Sequence, residues 1–70
     1  MEAYQERVQL EKNELDAKWN KLREFILTDT FKQLSYTEQA LLTVQDFLMY
    51  QYSEILEARI DLWHAPKDLQ

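Results

Sequence analysis

Residues 35–63 read SYTEQALLTVQDFLMYQYSEILEARIDLW, and this stretch decides the fold. Leu41, Leu48, Ile55 and Leu62 recur every seven residues, and Leu42, Met49, Leu56 and Trp63 repeat that spacing one position on. Seven residues make close to two helical turns, so each set lies along one side of a helix. Two neighbouring apolar columns form a face too wide for an isolated helix in water. A third column at the same spacing is polar: Glu38, Gln45, Tyr52 and Arg59. The pattern predicts a core-facing stripe with hydrogen-bonding groups down its middle.

Upstream, residues 2–27 read as a first helix. Val8, Leu15 and Leu22 share a column, with Trp19 and Ile26 on the same side. Tyr4, Glu11, Lys18 and Phe25 form the companion column, aromatic at its ends and charged in its middle. Between the helices, Thr28, Asp29 and Thr30 are poor helix-interior residues. Thr30 to Gln33 and Ser35 to Glu38 each have capping-box spacing, so a short helical turn at 28–35 precedes the main helix over about 36–64. Phe31 and Leu34 read as an apolar plug over the end of the pair. Pro66 stops the second helix, leaving 65–70 as a tail.

Seventy residues with no glycine, one proline and no cysteine are all-α material and one domain at most. Without disulfides or a zinc cluster, so short a chain is expected to draw stability from oligomerisation. Folded back with the turn near Phe31, the two helices set Phe25 against Glu38, Lys18 against Gln45, Glu11 against Tyr52 and Tyr4 against Arg59. The polar columns then share one seam. Trp19, Met49, Trp63 and Phe47 still need cover, which an antiparallel helical hairpin obtains by pairing into a homodimeric four-helix bundle. Trp19, Met49 and Trp63 are accordingly the candidate partner-interface residues.

Eight basic and thirteen acidic side chains give a net charge of −5. This opposes non-specific binding to nucleic acid or anionic membrane, which basic patches drive through counterion release. No signal peptide and no bilayer-spanning apolar run is read in the sequence, and the lack of cysteine fits a reducing cytoplasm. Catalysis is not expected. His64 is the only histidine and sits where a cation complements a helix C-terminus. No phosphate loop, dinucleotide fingerprint, Glu-x-x-His pair or zinc spacing occurs, so neither a metal nor a cofactor is expected.

The seam holds the candidate ligand-binding set: Lys18, Gln45, Tyr52, Arg59, Glu11 and Glu38. Arg59 offers a planar fork of donors for carboxylate or phosphate, and Lys18 a point charge. Gln45 suits a base or amide edge, and Tyr52 a stacking face. The same residues admit a structural reading, in which Glu11 and Glu38 neutralise Arg59 and Lys18 and fix helix register. A protein partner anchored on Trp19, Trp63 and Tyr50 is a third reading.

The pattern Glu38-x-x-Leu41-Leu42-x-x-Gln45-x-x-x-Met49-x-x-Tyr52-x-x-x-Leu56-x-x-Arg59-Ile60, with upstream Arg7, Glu11, Leu15, Lys18, Leu22 and Phe25, resembles short all-helical accessory proteins of tailed phages and prophages. The resemblance covers nearly the whole chain. It implies an accessory factor acting in the cytoplasm of an infected bacterium. Among such proteins are counter-defence factors that sequester a nucleotide signal or block a host protein. The expected function is therefore stoichiometric binding of a small anionic or nucleotide-type ligand, or of a host protein. The alternative is a structural or assembly module.

Overall fold

A computed structural model describes residues 2–64. Within it the chain is helical: α1 spans Ala3–Ile26, α2 is the short turn Asp29–Lys32, and α3 spans Tyr36–His64. α1 and α3 fold back on each other as an antiparallel hairpin, 52 × 21 × 15 Å overall. The expected tail at 65–70 lies outside the described residues.

Local chemistry marks each boundary. At the start of α1, the Glu2 backbone N–H donates to Gln5 Oε1 at 3.0 Å, satisfying a donor the helix leaves unpaired. α1 ends where Thr28 turns the chain. Its hydroxyl donates to the Phe25 carbonyl at 2.6 Å and accepts the Phe31 N–H at 3.3 Å, so one side chain closes α1 and caps α2. The expected cap at Thr30 is thus supplied two residues earlier. Ser35 caps α3 as its spacing predicts, accepting the Glu38 N–H at 3.1 Å. Gln39 ties the turn down by donating to the carbonyls of Leu34 at 2.8 Å and Lys32 at 3.2 Å. Phe31 is buried and meets Phe25 edge to face at 6.1 Å, closing the turn end of the hairpin as an apolar plug.

The core lies towards the other end. Val8, Leu56 and Ile60 are buried together, with Leu15 and Trp63 packed against them. Tyr4 closes that end by meeting Trp63 edge to face at 5.7 Å. This contact corrects the sequence register, which set Tyr4 against Arg59. The helices pair about one turn further along α3.

The face of α3 turned to α1 differs as well. It carries the column Leu42, Met49, Leu56 and Trp63, together with Gln39, Asp46, Ser53 and Ile60, all buried or half-buried. The column Glu38, Gln45, Tyr52 and Arg59 does not face the core; all four residues are exposed. Leu41, Leu48 and Ile55 are 65%, 58% and 60% exposed, against 0% for Leu56. A step of one residue rotates a helix by about 100°, so the two apolar columns point to different neighbours.

Candidate functional site

Two polar clusters occupy the hairpin interface. In the first, Lys12 Nζ on α1 donates to Asp16 Oδ2 at 2.7 Å and to Ser53 Oγ on α3 at 3.1 Å. Ser53, itself buried, donates to Asp16 Oδ1 at 2.6 Å. Glu57 adds an ion pair to Lys12 at 3.5 Å. The hydrogen bond to Asp16 raises the Lys12 pKa above its ordinary value; burial opposes this, and the charges of Asp16 and Glu57 reinforce it. Burial pushes the Asp16 carboxyl up, but the hydrogen bonds from Lys12 and Ser53 outweigh it and leave the pKa lowered. Among the described residues no buried side-chain nitrogen or oxygen lacks a partner, so this network is complete within one chain.

In the second cluster Trp19 Nε1 donates to Asp46 Oδ1 at 2.7 Å. The Trp19 ring lies 5.5 Å from the Tyr50 ring, and the Arg23 guanidinium sits 4.7 Å from its centroid. These contacts join α1 to α3 through one half-buried indole.

The expected single seam is corrected by one position on each helix. The polar residues of α1 bonded across the hairpin are Lys12, Asp16 and Trp19, where Glu11 and Lys18 are expected from the sequence. On α3 they are Asp46 and Ser53, where Gln45 and Tyr52 are expected. One signal pointed to the true column. Trp19 and Ile26 lie at seven-residue spacing from Lys12, so a face that includes them includes Lys12 before Lys18.

The six candidate ligand residues therefore lie elsewhere. Lys18 is exposed on α1, Glu11 is half-buried at the edge of the hairpin, and Glu38, Gln45, Tyr52 and Arg59 line the outer side of α3. Among the described residues no hydrogen bond or ion pair joins any two of the six; Gln45 instead reaches Met49 Sδ at 3.9 Å. Trp19, Met49 and Trp63, the candidate interface residues, are half-buried on the side where the two helices meet. The outer side of α3 thus combines exposed leucine and isoleucine with an amide, a phenol and a guanidinium. Near its start an open hollow is lined by Leu34, Glu38, Leu41 and Leu42.

The family model described as Sequestin matches residues 2–62, which takes in α1, the turn, α3 as far as Leu62 and every candidate residue named above except Trp63. The chain belongs to the Sequestin family. It is also 43% identical over 60 residues to an uncharacterized 7.5 kDa protein from the denB-rIIB intergenic region of Enterobacteria phage T4, covering 86% of this chain and 94% of that protein. No solved structure matches it significantly. The resemblance to short helical phage accessory proteins is thereby shown. Among the described residues of this Sequestin-family chain, no cluster of histidine, cysteine, aspartate or glutamate could hold a metal ion, and no helix is long and apolar enough to cross a membrane.

Proposed function

We propose that this Sequestin-family chain is a phage accessory binding protein that sequesters a nucleotide-type ligand in the host cytoplasm, working as a homodimeric four-helix bundle. Counter-defence is the setting that suits such a role. The observation that carries the reading is the outward placement of Gln45, Tyr52 and Arg59 in a family named for sequestration. Tyr52 supplies a stacking face, Gln45 an amide for a base edge, and Arg59 a fork for phosphate. Lys18 is a further cation on the neighbouring helix. Successive members of the α3 column stand about 10 Å apart along the helix, too far for one chain to converge them on one nucleotide. A second copy packed on this face is what would set Gln45 of one chain beside the partner's Tyr52.

The second reading is a structural or assembly module, with a host protein as the thing bound. It draws on the Lys12–Asp16–Ser53 network, which lies between the helices where the sequence spacing predicts Glu11, Lys18, Glu38 and Arg59. That network lies inside the hairpin and uses none of Gln45, Tyr52 or Arg59, so register within the hairpin does not account for the outer column.

Native mass spectrometry on protein purified from bacteria without refolding tests the proposal. The expected result is a mass above the bare multimer that disappears on denaturation. Arg59→Ala is expected to reduce retained or added nucleotide by about tenfold or more, while the oligomer persists at high protein concentration. A bare multimer that takes up no member of an added nucleotide panel overturns sequestration of such a ligand and leaves the assembly reading.

A further inference from the structure

The outer side of α3 has an order that its exposure makes meaningful. Its charged members are Glu38 at one end and Arg59 at the other, and Gln45 and Tyr52 lie between them, symmetric about a point next to Leu48. The apolar members repeat the symmetry, with Leu41 and Ile55 equidistant from Leu48. All seven residues are exposed in the hairpin. We infer that this face is the interface between two copies of the chain, with α3 packed antiparallel on the partner's α3 about a two-fold axis at Leu48.

Charge complementarity selects both the occupant and the direction. Antiparallel pairing about Leu48 sets Glu38 opposite the partner's Arg59, and by symmetry Arg59 opposite the partner's Glu38. Gln45 meets the partner's Tyr52, and Leu41 meets the partner's Ile55. Leu48 meets its own copy on the axis. The hollow lined by Leu34, Glu38, Leu41 and Leu42 lies at the height of the partner's Arg59, whose methylene stem covers it while the guanidinium reaches Glu38. Parallel pairing would instead set Glu38 against glutamate and Arg59 against arginine. α1 offers no matching stripe. Its exposed large apolar residues are Tyr4 and Leu10, and Tyr4 is already packed on Trp63. The inference deepens the proposed homodimer, and because it engages Gln45, Tyr52 and Arg59 with the partner helix it competes with the proposed ligand for those groups.

The chain has no cysteine, so each added thiol reports alone. Leu48→Cys, Leu41→Cys and Ile55→Cys change exposed positions, and circular dichroism verifies that each variant stays helical. Under mild oxidation Leu48→Cys is expected to form a disulfide-linked dimer rapidly. Leu41→Cys and Ile55→Cys are each expected to remain unlinked alone and to link when mixed. By sedimentation, Glu38→Arg or Arg59→Glu is expected to weaken the dimer about tenfold, since each changes two symmetric pairs. The double exchange restores it. A dimer in which all three thiols link equally overturns the antiparallel pairing but leaves the dimer standing. A protein that stays monomeric at high concentration overturns the dimer itself, and one that is monomeric yet binds nucleotide assigns this face to the ligand alone.

Discussion

Both sides of α3 mix polar and apolar residues, but only the side against α1 sets them against partners on another helix of the chain. Against α1 it presents Asp46 and Ser53 among its apolar residues, and both are hydrogen-bonded there. To solvent it presents Leu41, Leu48 and Ile55, each more than half exposed. A hairpin that was complete in itself would have little use for the second arrangement. The inner face is packed and its polar groups are paired, whereas the outer face leaves Leu41, Leu48 and Ile55 largely exposed. Leu56 and Leu48 sharpen the contrast, since they are the same residue on the two sides. Leu56→Ala is expected to cost about 2–5 kcal/mol in thermal or denaturant unfolding, at every protein concentration. Leu48→Ala is expected to cost little at low concentration and progressively more as concentration rises, because any loss there acts through association. Equal, concentration-independent losses at both positions would dissolve the distinction between the faces.

The inner face also tests how its polar groups act. Lys12→Ala strands Asp16 with Ser53 as its remaining partner, and is expected to cost about 1–3 kcal/mol. Replacing Lys12, Asp16 and Ser53 together by apolar residues of similar volume is expected to recover most of that loss. The recovered protein should then lose definition in helix register, visible as broadened amide resonances. A triple variant as unstable as the single one would mean the network contributes more than register.

The helices, the turn, the Ser35 cap and the Phe31 plug were legible because each depends on residues close in sequence. Seven-residue spacing needs only one helix, and a cap needs only three or four neighbours. The choice of inward column was not legible in the same way. On α3 the columns through Leu41, Leu42 and Gln45 share a spacing, and a fourth through Asp46 and Ser53 looks no more apolar than the polar one. What turned Ser53 inward is Lys12 and Asp16 on the other helix, and what turned Asp46 inward is the Trp19 indole. The cost of burying a polar side chain depends on its partner across the interface, which periodicity along one helix does not contain. Glu38, Gln45, Tyr52 and Arg59 share one column of α3 as the spacing predicts, and that column lies on the side away from α1 rather than toward it.

The smallest expected effect separates the faces by pH. The Asp16 pKa is depressed below its ordinary 3.8, so Asp16 stabilises the fold above that value and loses its contribution as pH falls through the lower folded-state value. The Lys12 pKa is raised above its ordinary 10.5, so its contribution is complete below 10.5 and is lost as pH rises through the higher folded-state value. Both groups belong to the inner network, with Glu57 as the other charge facing Lys12. The Asp16 carboxylate is about one-third exposed, so solvent screening keeps its share below that of the Lys12 substitution. Unfolding followed by circular dichroism is expected to show a plateau between the two ordinary values and losses beyond each. In the Lys12, Asp16 and Ser53 apolar variant, the part of both losses due to this pair should disappear. If acid sensitivity survives that replacement unchanged, the titrating groups lie outside the hairpin interface, and pH does not separate the two faces of α3.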